Sequence, residues 1–531
     1  MARVPIGSTD FSPRTYTYNE KVDDFAMTNF TIASDKAPLS NKINLIQRAL
    51  SMAKLRLFAS SWAPPLWMTR GQSVVDCKIK GSPGEKYWAA LALYYSKFFD
   101  AYKGEGIEFW AMTVQNEPEE PTIHIPNWET LRMTPEEERD FIKLNLGPLM
   151  ARNHPVLKIL ANDDQKSGLL DRSAPFDDPE SKKYISGVAF HWYKNLDFIL
   201  PGAGNYRNLK KFNEAYPDVF MLGSEACEGY MPRFIGTGRG PSMDDPERTW
   251  KRAQNYARDI IENSNNMAAG WVDWNLFLDS KGGPNWAENM VDAPILVAEH
   301  NGTEFYKQPM YYIMGHFSKF VPPGSRRIEL PKSETLSDFH RCAFVTPSNQ
   351  IVMQFLNRKE SEVTISVKEP NLHTFTLKLP AKSMQTIILP ASADTTILPA
   401  SKDSTPRAKI SRNVIRAHFR LGIFCCCISR VSSPTHHVNA QHYFGIGRRA
   451  YCKADCLGDG IGELSCDQLI ECPSTPYWVP TSPPLIQMEA VSPRRLATRP
   501  FGHGKRPVDF TATLRLSRDP KSRRTRSINV Q

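Results

Sequence analysis

The strongest constraint on the fold is a regular alternation of short apolar runs with amphipathic helical segments up to about residue 275. Near-continuous apolar runs of this length are typical of parallel strands that are buried on both faces. The alternation predicts an α/β fold, and six repeated units favour a (β/α)8 barrel over an open doubly wound sheet. No glycine-rich phosphate-binding motif follows a run, which disfavours nucleotide binding. The predicted strands are LRLFAS (55–60), IEFWAMTV (107–114), LKILA (157–161), GVAFHWY (187–193), VFMLGSEA (219–226) and AAGWVDWNL (268–276).

The periodicity changes after about residue 305, where apolar and polar residues alternate with turns between the runs. This pattern predicts an antiparallel β module that ends near Pro390. We therefore expect three regions. Residues 1–300 form the barrel, residues 301–391 form a β-sandwich, and residues 392–531 form a linker and a basic, largely disordered tail.

The basic character of the chain is confined to its last quarter. Residues 401–531 carry 21 Lys and Arg against 9 Asp and Glu, whereas residues 1–400 carry 45 against 47. The main body therefore has no charge excess that would indicate a nucleic-acid partner. Only three of the ten cysteines lie in the first 400 residues, which is too few for a disulfide framework. The cysteines of the tail fit no structural zinc pattern, and no stretch reaches the length of a membrane span.

Polar and aromatic residues follow the apolar strands repeatedly, and in a barrel the carboxyl ends of the strands build the active site. Polar and aromatic residues at the end of one strand are common, but their presence at the ends of six strands predicts a cleft lined by these side chains. In this interpretation His191 is either a site residue or a hydrogen-bonded strand-end histidine, and Asp163 and Asp164 either shape the cleft or cap a helix. The strand ends carry Trp62, Asn116-Glu117, Asp163-Asp164, His191-Trp192-Tyr193, Ser224-Glu225 and Asp273-Trp274-Asn275.

Glu117 and Glu225 are the two carboxylates that matter most. They end strands that are three units apart and are separated by 108 residues, or 36 per unit, against about 31 per unit in a 250-residue barrel. Three steps round eight strands place them nearly opposite each other. Opposed carboxylates are what glycoside hydrolysis requires, since one protonates the leaving oxygen and the other attacks the anomeric carbon or activates water. Tryptophan and tyrosine side chains at the same end would pack on the sugar.

Nine separated blocks, in order from residue 2 to about residue 390, resemble the glucosylceramidase branch of glycoside hydrolase family 30. The resemblance implies a retaining β-glucosidase that acts on glucosylceramide, built as a (β/α)8 barrel with a β-sandwich. It implies no metal and no organic cofactor, a saposin-type activator, an acidic lipid surface, and residence in the lysosomal lumen or the secretory pathway. The blocks are RTYTYNEKVDDFAMTNFTI, FASSWAPPLWM, FWAMTVQNEPEEP, NDDQ, HWY, GSEAC, GWVDWNL, GGPNWAENMVDAPI and FYKQPMYYIMGHFSKFVPPGS.

The resemblance also implies a role for individual residues. Glu117 would be the acid/base and Glu225 the nucleophile, and Asn116 would bind the sugar 2-hydroxyl. We expect burial to raise the pKa of Glu117, and we expect Glu225 to stay ionised beside Arg3 and Tyr193. The remaining residues implied by the family are Trp62, Trp274 and Asn289 at the glucose site, Trp128 at the aglycone mouth, and the glycosylation sequons at Asn29 and Asn301.

The chain departs from the family pattern at its start. The match begins at the end of the second barrel strand, so the first strand, most of the second and a glycine-rich segment with an Asp are expected to be missing, as is a signal peptide. A barrel without two strands exposes sheet edges, and we therefore expect the chain as written to be poorly folded and inactive. Two alternatives stay open: a family 30 glycosidase with another sugar preference, and an inactive relative that binds a sugar or a lipid.

Overall fold

A computed structural model describes residues 1–119, 127–195, 206–298, 302–330, 338–367 and 374–390, together with seven short strands between residues 422 and 530 whose side chains are not considered. The described chain divides into two compact units. One comprises residues 1–252 and 262–304, and the other comprises residues 253–261 and 305–531. No helix in the described ranges is both long and apolar enough to cross a membrane.

The first unit is built on a seven-stranded parallel sheet in the order β1 to β7, with β1 and β7 at its two edges. The predicted parallel, barrel-type sheet is confirmed, and so are the six strands expected from the apolar runs. Residues 2–6 add a strand at the edge next to β2. The strands are β1 Ala2–Ile6, β2 Leu57–Ser61, β3 Ala111–Thr113, β4 Lys158–Gln165, β5 Ile185–His191, β6 Phe220–Glu225 and β7 Ala268–Trp271; β8 Phe277–Asp279 and β9 Ile295–Val297 form a separate parallel pair.

Helices lie between consecutive strands, as the alternation predicts. Helix α4 begins with a capping box. The Thr134 side chain accepts a hydrogen bond from the Glu137 backbone N–H, the Glu137 side chain accepts one from the Thr134 backbone N–H, and Pro135 occupies the first turn. The helices are α1 Ala33–Lys36, α2 Lys42–Met52, α3 Lys86–Gly104, α4 Pro135–Phe141, α5 Gly147–Asn153, α6 Ala174–Asp177, α7 Pro179–Lys182, α8 Tyr206–Ala215, α9 Pro246–Asn265 and α10 Pro309–Ser318. Single turns of 3-10 helix span Leu66–Met68, Arg70–Gln72 and Lys166–Gly168, and a π-helical segment, Ile142–Leu146, joins α4 to α5.

The two faces of the sheet have separate cores. The larger one packs the helices against the outer face and is rich in aromatic side chains, including Trp88, Tyr94 and Phe98 of α3. The smaller one is a layer on the inner face to which neighbouring strands contribute one residue each. Because side chains alternate along a strand, this layer identifies the residues that point inward. It consists of Phe58, Ala111, Leu160, Ala189, Leu222 and Val272.

The second unit has the antiparallel strands that the sequence predicts. A sheet in the order β11-β12-β13-β16-β17 and the hairpin β14-β15 share one apolar core. The strands are β10 Phe305–Lys307, β11 Arg326–Ile328, β12 Phe339–Val345, β13 Gln350–Asn357, β14 Val363–Val367, β15 Phe375–Leu379, β16 Ser383–Pro390 and β17 Gly422–Cys426. The predicted disordered tail lies outside the described residues, apart from β17 and the short strands β18 Asn439–His442, β19 Tyr451–Asp455, β20 Ile470–Glu471, β21 Ile486–Gln487, β22 Ala512–Leu516 and β23 Arg526–Val530.

Candidate active site

The inner face of the sheet continues beyond its apolar layer into a polar cluster at the carboxyl ends of the strands. His191 and Ser224 lie two residues beyond Ala189 and Leu222, so the alternation turns them to the same inner side. Arg3 lies in register with Phe58 and therefore faces inward as well. The apolar strands thus deliver charged side chains to one place because of the period-2 geometry of the sheet.

Two irregularities increase the number of polar groups that reach this cluster. The β4 strand shifts register between Asn162 and Asp164, and the backbone of Asn162 (φ 72°) and of Asp163 (φ 59°) is left-handed. After this bulge Asp163 and Gln165 face inward. Bulges re-aim side chains in this way and occur frequently next to active sites. A second register shift, between β5 and β6, pairs His191 with Glu225 and brings Ser224 and Glu225 to the cluster together.

Glu117 follows β3 in a strained, left-handed conformation with a φ of 42°. Such a backbone costs on the order of 1–3 kcal/mol for a residue other than glycine, and the surrounding structure must hold it. Its backbone N–H donates to the Asp163 carbonyl at 3.0 Å, and its own carbonyl accepts from Arg132 at 3.2 Å. The side chain is 22% exposed, so it is accessible while its neighbours are buried.

The two carboxylates meet. Glu117, His191 and Glu225 each present an atom within 4.8 Å of the others. His191 Nδ1 lies 3.0 Å from Glu117 Oε1 and 4.0 Å from Glu225 Oε1. Gln165 Nε2 donates to the same Glu117 oxygen at 2.9 Å. The sequence predicts that the two carboxyl groups oppose each other but gives no distance between them, and the structure places them on the same side of His191.

Arg3 joins the two sides of the cluster. Its guanidinium forms a very short ion pair with Glu225 and a 2.5 Å ion pair with Asp163. It also donates to Asn116 Oδ1 at 2.8 Å. Tyr193 donates its hydroxyl to Glu225 Oε1 at 2.8 Å. Glu225 is therefore held by one positive charge and one neutral donor, as expected for Arg3 and Tyr193.

Asp163 is the central buried anion, and the sequence interpretation gave it no definite role. It accepts hydrogen bonds from Thr113 and Ser224, both at 2.6 Å, in addition to the Arg3 ion pair. His191 Nε2 lies 3.1 Å from its other side. Burial opposes ionisation of Asp163, but Arg3 and His191 outweigh burial and lower its pKa. The polar stretch NDDQ at the end of β4 was the available signal, yet only the bulge decides which of its residues face inward.

The pKa directions of the pair differ from those that the sequence predicts. Burial raises the pKa of Glu117, but the hydrogen bond and the charge of His191 together with Arg3 outweigh it, so the net shift is downward. The expectation of a raised pKa for Glu117 is therefore wrong, because a positively charged donor contacts the carboxylate. Burial raises the pKa of Glu225 against the opposing effects of His191 and Arg3.

Two aromatic residues predicted at the glucose site lie beside the cluster. Trp62 and Trp274 stack with ring centroids 4.9 Å apart, and the Arg3 guanidinium lies 4.7 Å from the centre of the Trp62 ring. Trp62 is buried, whereas Trp274 is partly exposed and is the better placed of the two to meet a ligand. Phe11 makes an edge contact with Trp274.

A second buried carboxyl group, Asp10, lies in the segment after β1. Asn289 and Asn285 donate to its Oδ2 at 3.0 and 3.3 Å. Burial, with a smaller contribution from the charge of Glu225, raises the pKa of Asp10 to about 7. Asn289, which the sequence interpretation placed at the glucose site, thus reaches Asp10 rather than Glu117 or Glu225. Asp10 itself was missed, because nothing in the residues around it marks it as buried.

The other predicted residues lie apart from this cluster. Trp128 is partly exposed, and in the described part of the chain it makes no side-chain hydrogen bond to the cluster. Asn29 is exposed, as a glycosylation site must be, and its backbone and side chain donate to Asp24. Asn301 lies outside the described residues.

Glu117, His191 and Glu225 are the kinds of ligand that a divalent cation accepts. Against this, the His191 ring lies between two carboxylates, and the Arg3 charge already pairs with Glu225. A second cation there would be repelled by the guanidinium. The arrangement is better suited to chemistry in which the carboxylates themselves react.

The comparisons with known proteins agree with the fold. Residues 1–321 match the glycosyl hydrolase family 30 TIM-barrel domain, and residues 324–387 match the family 30 β-sandwich domain. The chain is 38% identical to the lysosomal acid glucosylceramidase of Mus musculus over 395 residues, or 73% of each protein. It is 25% identical to an endo-1,6-beta-D-glucanase of Neurospora crassa over 410 residues, or 74% and 77% of the two proteins.

The crystal structure of SrfJ from Salmonella typhimurium is similar, with a TM-score of 0.62 and 29% identity over 72% of this chain and 78% of that one. The two family matches together run from residue 1 to residue 387. The chain therefore belongs to glycoside hydrolase family 30 and is a glucosylceramidase-like glycoside hydrolase.

Proposed function

We propose that the chain is a retaining β-glucosidase that hydrolyses glucosylceramide to glucose and ceramide, with Glu225 as nucleophile and Glu117 as acid/base. The main support is the short gap between the two carboxyl groups, whose nearest oxygens lie within 4.8 Å. Retaining glycosidases have carboxyl groups about 5–5.5 Å apart, whereas inverting enzymes need about 6.5–9.5 Å to admit a water molecule. Oxygens within 4.8 Å of each other are closer to the retaining than to the inverting spacing, which favours direct attack by a carboxylate.

In the first step Glu225 attacks the anomeric carbon, and Glu117 gives a proton to the glycosidic oxygen, so that the aglycone leaves and a glucosyl-enzyme ester forms. Arg3 and Tyr193 support this role of Glu225, since each binds one of its oxygens and orients the carboxylate. In the second step Glu117 takes a proton from water, the water oxygen attacks the anomeric carbon, and Glu225 leaves with its charge restored.

The pair must hold one proton for this reaction. Two carboxyl groups this close are not easily ionised together, so one of them stays protonated over a range of pH. The reaction requires that proton on Glu117 while Glu225 is ionised. His191 favours the ionised form of Glu117 and burial raises the pKa of Glu225, so the reactive arrangement, with the proton on Glu117, is the minor form of the singly protonated pair. The pair gains that proton as the solution is acidified.

Substrate selection follows from the groups around the pair. The Oδ1 atom of Asn116 accepts from Arg3, which leaves its amide N–H2 to donate to the sugar 2-hydroxyl. Trp274 offers a partly exposed aromatic face, and Asp10 with Asn289 offers acceptors and donors for the more distant hydroxyls. We place Trp62 behind Trp274 as its support and leave Trp128 at the aglycone mouth.

The choice of glucosylceramide rests on the mouse relative, whose name states that it is a lysosomal glucosylceramidase. From that name we also infer residence in the lysosome or the secretory pathway. The sequence resemblance to the glucosylceramidase branch is the basis for proposing glycosylation at Asn29 and assistance from a saposin-type activator on an acidic lipid surface. The Neurospora relative favours the second candidate, a family 30 glycosidase for β-1,6-linked glucose. A third candidate is a relative that binds a sugar or a lipid without turnover. Such a protein would have the same cluster of side chains but would not hydrolyse a glycosidic bond.

A covalent cyclitol epoxide probe tests the assignment. We expect the probe to attach to Glu225 of the 531-residue chain, as located by peptide mass spectrometry, and labelling to vanish in Glu225→Gln. Glu180→Gln changes an exposed glutamate and is the matched control, which should label as the wild type does. Attachment to any other carboxylate, or labelling that survives in Glu225→Gln, would refute the proposed nucleophile.

Two further measurements separate the candidates. Glu117→Gln should lower turnover of an alkyl β-glucoside by about 10²–10⁴-fold, while a dinitrophenyl glucoside, which needs no acid, keeps its glycosylation rate. Release of ceramide from glucosylceramide, compared with cleavage of a β-1,6-glucan, then identifies the sugar preference. Binding of either ligand by a chain that never labels and never turns over would favour the inactive relative.

A further inference from the structure

His191 has a carboxylate oxygen at each of its two ring nitrogens. Nδ1 lies 3.0 Å from Glu117 Oε1, and Nε2 lies 3.1 Å from Asp163 Oδ1. A neutral imidazole donates from one nitrogen only, whereas an imidazolium donates from both. When both neighbouring carboxyl groups are ionised, only the imidazolium can donate to both of them. The side chain is 0% exposed, so no solvent competes for either bond.

Asp163 supports the charge on His191 separately from Glu117. Asp163 is ionised at any working pH because Arg3, Thr113 and Ser224 also donate to it. Burial by itself lowers the pKa of His191, but the carboxylates of Glu225, Asp163 and Glu117 outweigh burial and raise it to about 10. His191 therefore stays positive when Glu117 takes up its proton.

The positive charge of His191 acts mainly on the Oε1 atom of Glu117. Gln165 and His191 both donate to Oε1, and both bonds stabilise the carboxylate over the carboxylic acid. The other charged or titratable groups that face this pair are Arg3, Asp163, Glu225 and Tyr193, together with Asp164, whose pKa the Glu117 charge helps to raise.

We propose that His191, held as an imidazolium by Asp163, confines catalysis to acidic pH by stabilising the ionised form of Glu117. The inference rests on the proposed role of Glu117 as acid/base. His191 acts through Glu117 and is a positioning residue, not a catalytic one. Without the imidazolium the acid form of Glu117 would persist to higher pH, and the enzyme would work in a neutral medium.

The test is the alkaline limb of the pH dependence of kcat/KM for an alkyl β-glucoside, which reports ionisation of the acid in the free enzyme. His191→Asn removes the charge and keeps a neutral donor near the position of Nδ1. An opposite charge at this range lowers a carboxyl pKa by about 1–3 units, so we expect the limb to move upward by about one unit or more. A dinitrophenyl glucoside should show no such shift, because its departure needs no acid.

His154→Asn is the matched control. His154 is half-buried and pairs with Ser96, away from the cluster, and its substitution should leave the limb in place. An unmoved limb in His191→Asn would overturn the inference, even where the cyclitol probe still attaches to Glu225. Attachment of the cyclitol probe to a residue other than Glu225 would instead overturn the proposed function, whether or not the alkaline limb of kcat/KM moves.

A measurement on the unsubstituted chain covers the case in which His191→Asn does not fold. Nitrogen-15 spectra of the histidine rings at pH 8 should show one imidazole protonated at both nitrogens. That signal should persist well above the ordinary histidine pKa of about 6.5. Spectra in which every ring is neutral at pH 8 would refute the imidazolium and the inference with it.

Discussion

Replacing Arg3 by alanine should destabilise the first unit more than any surface substitution. Arg3 and its two anionic partners, Asp163 and Glu225, are almost completely buried. Charge-assisted hydrogen bonds contribute about 1.5–3 kcal/mol each, so two of them give about 3–6 kcal/mol. Removing one partner of a buried ion pair costs about 3–5 kcal/mol, because the other charge stays buried without compensation. The two figures agree, and we expect a loss of about 3–5 kcal/mol.

Arg3→Lys separates the charge from the shape of the guanidinium. A lysine keeps one positive charge but lacks the planar fork that reaches Glu225 and Asp163 together. We therefore expect it to lose about one charge-assisted bond, or about 1.5–3 kcal/mol. The lysine variant should fall between the wild type and Arg3→Ala.

The measurement is urea and thermal unfolding followed by tryptophan fluorescence, since Trp62 and Trp274 adjoin Arg3. A loss of 3–5 kcal/mol corresponds to a fall in Tm on the order of 10 °C for a unit of this size. Arg48→Ala, on the exposed face of α2, is the control and should stay within about 0.5 kcal/mol of the wild type. A loss below about 1 kcal/mol for Arg3→Ala would show that the ion pairs do not hold the cluster together.

Three further substitutions test other parts of the structure. Folding raises the pKa of Asp10 from 3.8 to about 7, so the stability that Asp10 contributes below pH 4 is lost as the pH rises towards 7, by up to ~4 kcal/mol. Asp10→Asn should flatten this decline of the free energy of unfolding with pH, as measured by urea unfolding. An unchanged slope would contradict the raised pKa. Gly229→Ala should lower the free energy of unfolding by more than about 1 kcal/mol, because φ is +81° and the new Cβ would lie 2.7 Å from the Asp292 backbone nitrogen. A variant as stable as the wild type would show that the loop after β6 can adjust its backbone. Thr134→Ala removes the capping box of α4 and should cost about 1 kcal/mol in the same assay, and an unchanged midpoint would mean that packing alone sets the start of this helix.

The expectation that the chain as written is poorly folded stays a prediction. In the described residues the parallel sheet has edges at β1 and β7, and unpaired edges favour association with other strands. Light scattering and circular dichroism of the expressed chain measure this directly. Soluble, monomeric protein would contradict the expectation.

The sequence alone predicted six parallel strands, the change to an antiparallel module and a glutamate at the end of each of two strands. These depend on local patterns: apolar runs, the change from helical to period-2 spacing, and a glutamate at the end of each of two strands. Because a parallel sheet brings the carboxyl ends of its strands to one edge, strand order predicts that Glu117 and Glu225 reach the same end of the sheet, whereas the distance between them requires the structure.

Tertiary structure alone decided how those residues behave. The bulge in β4 turns Asp163 inward, and no periodicity announces a bulge. Asp163 then supports the charge on His191, and that charge reverses the expected pKa shift of Glu117. Burial of Asp10 likewise depends on side chains more than 270 residues away in the chain. A pKa is set by charges and solvent within a few ångströms in space, whereas a sequence pattern reports only neighbours along the chain.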